Sequence, residues 1–593
     1  MKILISFFTL LSIFLCFDTN ASHVLGGEIT WTSDGNGYYT FNMRLYRDCN
    51  GTTCPFGDII NTNAPIGFIP CTLISQSDIS PVGYSCPTCL NPGGYRNAVE
   101  EFIYRSASVY IDPPPATGWY FTNEKCCRSN ALTNILMGVS GGANGIMFIR
   151  SIMYPSPNFQ TIYNSSPRFL DPPSIGICNS DTIYLNHAAT LPVADSIRYD
   201  WAQPIESSYP WTPTPFDTGY SYTNPLPDQS INPQNIGATL DRINGTIKFY
   251  SVTLGNFVTT TKVSSYSCGT LISEIYREIV ITLINCPIYT QPNSMLNTAP
   301  DFAQNYPNDI FNLKVGDTFI YSVNVSDFEP VFDGTAFQTQ TLTLDLTSDL
   351  MGLNDTSNSI GCLNPPCATT TIPMPISGPS ILSTIIEWQT NCTHLSSPTG
   401  CQSHEKNFQF TLKANDNFCP ANGTTYKNVI ISLSAPEIIQ NGTTLTTNSS
   451  NYSLQWYFNG NPIAGATNSN YAPQQSGYYS ALFTDSAGCS MISNVIPYGI
   501  SGNEIVPYEP EILLSPNPVK YNGSLNLILS NLKPGPQNIL LVGINGQIIR
   551  NFKVDSSQSN EHLIIDIAGI PKGIYQLQIQ NSSERLNKKL IIN

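Results

Sequence analysis

Residues 22–51 read SHVLGGEITWTSDGNGYYTFNMRLYRDCNG. Ile29 and Trp31, then Tyr39, Phe41, Met43 and Leu45, stand at every second position with polar residues between them. A period of two puts one set of side chains on one face of an extended strand, which no helix does. Between the two runs lies SDGNG (33–37), whose Asp, Asn and Gly residues accept the positive φ angles of a tight hairpin. The stretch predicts an antiparallel hairpin, and the rest of the chain follows the same pattern.

Composition agrees. Of 593 residues 11% are charged, against ~25% in an ordinary globular chain, which leaves little to solvate helix faces. β-Branched and aromatic residues fall between clusters of Pro, Gly and Asn, as they do where turns join short strands. No window sustains helical periodicity, so the expected fold class is all-β. At ~100–200 residues per domain, the length calls for several modules.

The N-terminus, MKILISFFTLLSIFLCF followed by DTNA, has the layout of a secretory signal peptide ending at Ala21. The residue before Cys16 is Leu15, where a lipoprotein would need a small side chain. No later stretch approaches the ~20 apolar residues of a spanning helix, so no transmembrane segment is expected.

Sixteen cysteines follow the signal, and an exported chain holds most of them as disulfides. Cys49, Cys54, Cys71, Cys86, Cys89, Cys126 and Cys127 lie in 22–170, and Cys178, Cys268 and Cys286 in 171–297. Cys362, Cys367, Cys392, Cys401 and Cys419 lie in 298–436, and Cys489 stands alone beyond them. Each group is odd, which predicts one bridge from the first to the second and another from the third to the fourth. Adjacent Cys126 and Cys127 are expected to take different partners.

These groups coincide with the expected domains. Residues 1–21 are the signal peptide and 22–170 a Cys-rich β domain. Residues 171–297 form a β-sandwich with a turn at Asn244-Gly245 and a closing strand REIVITLI. A second sandwich, 298–436, starts at APDF and closes on YKNVIISLSAP. A smaller module (437–499) and an acidic, Pro-containing linker (500–512) lead to a C-terminal unit, 513–593.

Several of these units resemble known families. Residues 171–297 and 298–436 are similar to sandwiches of the immunoglobulin or cadherin kind. Residues 437–499 resemble an immunoglobulin-like domain of bacterial surface proteins, with Trp456 as core tryptophan and Gly477 and Tyr479 before a penultimate strand. Ala481 stands where that family has its second cysteine, so Trp456 is expected to pack on aliphatic residues instead. The tail carries Pro516-Asn517-Pro518, then ILLVGINGQIIR with Asn545-Gly546 in its turn, then Gly573-Ile574-Tyr575 and Lys588-Lys589 before an apolar end. In that order these resemble the C-terminal sorting domain of the type IX secretion system of Bacteroidetes. The resemblance implies a third β-sandwich type, export across the outer membrane, the secretion machinery as partner, and attachment to the surface or release. Charge sets the tail apart, since 513–593 holds eight Lys or Arg against four Asp or Glu (+4), leaving −19 of the net −15 on the rest. SHVLGGEITW, YRDCNG, CCRSNALTN, LDRINGTIKF and APDF resemble repeated parts of large Bacteroidetes surface proteins described as gliding- or adhesion-associated. That implies a surface protein and no particular reaction.

Chemical motifs are sparse. GVSGG (138–142) fits the G-x-S-x-G pattern, but Ser140 is followed by GGANG, which breaks the helix a nucleophile elbow requires. CTH (392–394) and CQSH (401–404) offer zinc ligands, yet zinc needs thiolates, and in an oxidising compartment a Cys392–Cys401 disulfide is expected. CPTC (86–89) lacks a βαβ context and reads as structural. The one cofactor expectation is calcium, at Asp327, Glu329 and Asp333 in VSDFEPVFDGT with Asp416 in KANDNFCP, because Ca2+ takes six to eight oxygen ligands. Aromatics in SSYPWTPTPFDTGYSY (207–222) suit either sugar stacking or packing on the domain's own sheet. A charge of −15 repels nucleic acid. The expected function is a non-enzymatic adhesion or structural protein of the surface, binding surface glycans or extracellular proteins. The alternative is a secreted hydrolase or carbohydrate-binding protein.

Overall fold

The computed structural model describes residues 24–593 apart from 52, 84–85, 93–97, 126–127, 129–130, 137–144, 156–164, 171, 174, 180–181, 190–195, 208–210, 268–269, 287–296, 304–307, 333–334, 352–361, 363–364, 396–404, 448–451, 486–487, 500–510, 516, 520, 522–523, 531–534, 544–546, 557–560, 568 and 581–584. The fold is all-β, and the one helical element among the described residues is a 3-10 turn, Cys392–His394. No helix among them is long and apolar enough to cross a membrane.

The opening hairpin forms as its alternation demands. Val24–Gly35 pairs with Tyr38–Asp48, and Gly35, Asn36 and Gly37 make the turn with φ of 88°, 52° and 84°. From there the sheet continues through Val99–Ser106, Phe68–Asp78, Gly57–Thr62, Trp119–Lys125 and Met147–Met153 to Thr270–Ile284. That last strand also pairs with the first, at Gly26↔Ile279 and Gly27↔Glu278, so eight strands close on themselves. Gly255–Ser267 lies along the other edge of Thr270–Ile284 and Ser196–Trp201 beyond it.

The closure needs the glycine pair of VLGGEI. A Cβ on Gly26 would lie 2.1 Å from the carbonyl oxygen of Glu278, and one on Gly27 2.5 Å from that of Arg44. Without side chains, the first strand can approach backbones on both sides. The next residue, Glu28, then receives Arg277 from the closing strand, through Nε to Oε2 and Nη2 to Oε1, both at 2.7 Å. Neither side chain is more than 1% exposed. Glu278 turns to the opposite face and accepts from Arg128 Nε at 2.7 Å and Nη2 at 2.9 Å.

The border expected at 170/171 falls inside this sheet. REIVITLI closes no separate sandwich; it is buried almost throughout because it sits between strands of both segments. One core joins Trp31, Phe41, Leu45, Phe102 and Phe121 to Val263 and Ile275, and a second joins Leu25, Tyr46 and Val99 to Phe257, Ile279 and Ile281. The Asn244-Gly245 turn, with Gly245 at φ 76°, connects Ile236–Leu240 to Thr246–Tyr250 in a small sheet against the second core.

The remaining modules are two-sheet sandwiches. In 298–436, Thr318–Ser326 and Ile381–Gln389 form one sheet, while Asn308–Lys314, Thr424–Ser434, Glu405–Asn415 and Thr341–Thr347 form the other. In 437–499, Ser453–Phe458 and Gly477–Thr484 carry the larger sheet, and its core is continuous with that of the preceding module. There Trp456 stacks on Tyr471 at 5.6 Å and donates from Nε1 to the Asn468 carbonyl at 2.8 Å. An aromatic partner is thus added to the aliphatic core, with Leu445, Leu454 and Ala481, in which Trp456 is buried. Tyr479 donates back to the Gln475 carbonyl at 2.9 Å, the corner its position suggested. The C-terminal unit packs Glu511–Ser515, Ser524–Ser530 and Glu561–Asp566 against Ile548–Ser556, Gly535–Gly543, Gly573–Gln580 and Arg585–Ile592 over a core of Leu, Ile and Val.

Removing one partner of a buried ion pair leaves a desolvated charge, at a cost of ~3–5 kcal/mol, whereas removing both costs far less. Arg277→Met is expected to destabilise the oxidised chain by about that much in urea unfolding, and Glu28→Leu/Arg277→Met by clearly less. Additive losses in the double variant would show that the two side chains are not coupled.

Candidate functional site

The third module docks on the large body through its loop between Glu405–Asn415 and Thr424–Ser434. Cys419 is bonded to Cys86. Asn422 exchanges two hydrogen bonds with the Val82 backbone, at 2.8 and 3.0 Å. Phe418 and Ala421 bury with Val331 against Cys178, Ile284 and Cys286, and Asn428 Nδ2 donates to Thr246 Oγ1 at 2.9 Å.

At this joint lie three of the four carboxylates expected as calcium ligands; Asp333 is outside the described residues. Asp416, 4% exposed, accepts at Oδ1 from the backbone N–H groups of Phe418 (2.9 Å) and Gly423 (2.8 Å) and at Oδ2 from Asn297 Nδ2 (2.7 Å). The neighbouring residue Thr298 donates through its N–H and its hydroxyl to the two oxygens of Glu329, each at 2.7 Å. Gln340 Nε2 donates to Asn297 Oδ1 at 2.7 Å. Asp327, 6% exposed, accepts from the Glu329 N–H at Oδ1. Its Oδ2, and Oε1 of the fully buried Gln340, have no hydrogen-bond partner. Burial pushes Asp416 up to about 7, with Asp327 adding to the rise despite three hydrogen bonds that oppose it. Burial pushes Asp327 up to about 6, helped by Glu329 and Asp301. Asn297, Thr298 and Gln340 carried no signal in the sequence, lying outside both acidic loops and being of ordinary type.

The other candidates resolve differently. Cys392 is bonded to Cys489, not to Cys401, because the 392–394 turn lies against the fourth module. That removes the thiolate a zinc site needs. His394 Nδ1 accepts from the Asn391 N–H at 2.9 Å and its ring stands edge-on to Trp388 at 4.8 Å. Cys401, His404 and Ser140 are outside the described residues. The two cysteines of CPTC separate, Cys89 to Cys49 and Cys86 to Cys419. Cys178–Cys286 and Cys362–Cys367 complete the described pairs. The first segment is thus bridged to the third, a link that parity between neighbouring segments did not foresee, while Cys392–Cys489 is the bridge expected from the third to the fourth. Cys54 and Cys71 are buried free thiols, not disulfides, held in the apolar core of the body, where burial pushes Cys71 up to about 12. Cys126, Cys127 and Cys268 lie outside the described residues. In the aromatic loop, Trp211 packs on its own body, 5.2 Å from Tyr120 and under the Arg150 guanidinium at 5.3 Å.

In the tail, Asn517 binds the last strand from both sides, donating to the Lys589 carbonyl at 2.7 Å and accepting from the Ile591 N–H at 3.0 Å. Tyr575 donates to the Pro571 carbonyl at 2.7 Å. Ile574, Tyr575, Lys588 and Lys589 line a groove of about 720 Å³ with Leu540 and Ile548. Pro516, Asn545 and Gly546 are outside the described residues.

Comparison with known proteins agrees at this end. Residues 514–593 match the family model of the secretion system C-terminal sorting domain. That domain marks the chain for export by the type IX secretion system to the cell surface or beyond. No curated protein matches the chain. Among solved structures, the N-terminal eight Ig domains of Down Syndrome Cell Adhesion Molecule overlap 96% of this chain and 72% of their own, at 9% identity and a TM-score of 0.17. The BSP domain of a biofilm associated protein overlaps 80% and 96%, at 10% identity and 0.14. Latent PorU from Porphyromonas gingivalis overlaps 70% and 32%, at 11% identity and 0.12. Superpositions this loose add nothing to the all-β fold already described.

A carboxyl whose folded pKa is raised stabilises most below its unfolded value, ~3.9, and that stability is lost as pH rises through the folded value. With divalent cations chelated, Asp327→Asn is therefore expected to melt above the wild type at pH 8, the gap closing as pH falls through about 6. A gap of constant size between pH 5 and 8 would reject this.

Proposed function

We propose that this chain is a non-enzymatic protein of the cell surface, in which residues 22–499 serve adhesion or surface structure and 513–593 direct export. The observation that carries the reading is the sorting domain placed behind modules fastened to one another, by Cys86–Cys419 at one joint and by Cys392–Cys489 with a shared core at the next. Such a body holds its contact faces in fixed relation to one another. One such face is the hairpin Gly57–Thr62/Phe68–Asp78. It exposes Phe56 (88%), Ile59 (46%) and Phe68 (56%), with Ile59 opposite Pro70 across the ladder. The register puts Ile59 and Phe68 on one face, and apolar side chains exposed on a monomer surface in this way suit contact with an extracellular protein or the apolar face of a surface glycan. The secretion machinery is the partner of the tail, where Lys588 and Lys589 present positive charge from an otherwise acidic chain.

Two measurements test this. Lys588→Glu/Lys589→Glu should leave most of the chain in the periplasm, read by immunoblot of cell fractions, and normal export would remove the groove from the reading. The purified exported chain should bind members of an array of glycans and extracellular proteins, with Phe56→Ser/Phe68→Ser lowering the signal at unchanged melting temperature. Hydrolysis of any array component would favour the secreted-hydrolase alternative instead.

A further inference from the structure

We infer that the joint between the large body and the third module is a binding site for a divalent cation of the calcium class, with Asp327, Asp416 and Gln340 as protein ligands. The cluster of acids alone would be ordinary in so acidic a chain. What distinguishes it is a pair of acceptors left over on side chains more than nine-tenths buried, Asp327 Oδ2 and Gln340 Oε1. An unmet buried acceptor is costly, and an unmet buried carboxylate more so. Yet the surroundings do nothing to relieve it. Two donors of the same cluster, Asn297 Nδ2 and Gln340 Nε2, are turned to Asp416 and Asn297. The backbone N–H groups of Phe418 and Gly423 hold Asp416 Oδ1 in place. Gly423 also keeps its neighbourhood open, since a Cβ there would stand 2.4 Å from Asp416 Oδ2.

The chemistry of the donors selects the ion. Two carboxylates and a carboxamide are all hard oxygen ligands, which suit Ca2+ or Mg2+ and not the soft or imidazole-seeking metals. Mg2+ keeps several of its own waters, and a site walled by Gln340 and Asp416, 0% and 4% exposed, gives them little room. Ca2+ sheds its waters more readily and tolerates irregular ligand sets. Bound there, it ties the Asp327 loop to the Asp416 loop, which also carries Cys419 and Asn422 and so fastens the module to the body. The inference is independent of what the exported surface contacts.

The test uses the purified, oxidised full-length exported chain after dialysis against chelator. Calorimetric titration with CaCl2 should show one saturable site, and the melting temperature should rise with Ca2+ as linkage requires. Asp327→Asn and Gln340→Met should each weaken Ca2+ binding by about tenfold or more, while Asp327→Asn melts no lower than the wild type in chelator. This combination a purely structural role would not produce. Absence of a heat and of a melting shift at millimolar Ca2+ overturns the site. So does an undiminished response in both variants, and an equal response to Mg2+ overturns the assignment to calcium.

Discussion

Arg277 and Glu28 close the molecule. Two oppositely charged groups with no solvent contact are tolerated only when geometry is complete, because each desolvated ion costs several kcal/mol if left unmatched. Here the fork of Arg277 is met by both oxygens of Glu28, and its face lies over Phe169 at 3.8 Å. His187 is kept out of the charge balance, pushed down to about 3 by burial and then by Arg277, with Thr261 on its Nδ1. The pair forms only if strand Val24–Gly35 reaches strand Thr270–Ile284, and that contact rests on Gly26 and Gly27. The sheet, its two cores and the position of Arg128 against Glu278 follow from this one seam.

A chain with few charges thus places several of them inside. Apolar area alone drives collapse without fixing register, whereas a bidentate ion pair fits one register and is costly in any other. A sheet whose strands come from residues separated by some 250 positions has many alternative pairings. Interior charges that fit one of them discriminate among these more sharply than further leucines would. Two of the disulfides act elsewhere, since Cys86–Cys419 and Cys392–Cys489 span joints and not the closed sheet.

Local features were legible and distant ones were not. The alternation around Ile29–Leu45 located strands, faces and turn, because period two is a property of the strand itself. Tyr479 and the tail motifs were equally readable, each lying within one or two strands. REIVITLI was read correctly as a strand but assigned to the wrong neighbours, since a run buried on both faces looks the same wherever its partners come from. Cysteine parity found the bridge from the third segment to the fourth, Cys392–Cys489, but it assumed that bridges join adjacent segments, and Cys86 reaches past one to Cys419. The acidic loops flagged Asp327, Glu329 and Asp416. Gln340, which carries one of the two unmatched oxygens, and Asn297, which donates to Asp416, are polar residues of common type in unremarkable surroundings.

The basic C-terminus can now be placed. Arg585–Ile592 is an edge strand, with Leu590 and Ile592 in the core and Lys588 and Lys589 exposed. Charge at such an edge discourages pairing with a second chain, which an exported protein crowded at a membrane needs. Beside the charge stands the Asn517 clamp. By bonding the Lys589 carbonyl and the Ile591 N–H, Asn517 is fixed to the strand that bears the lysines. Val519 and Tyr521 extend the contact to Asn593. Motifs separated by 72 residues therefore present one surface. A partner that reads that surface reads the folded tail, because the unfolded tail carries the same lysines without Asn517 beside them.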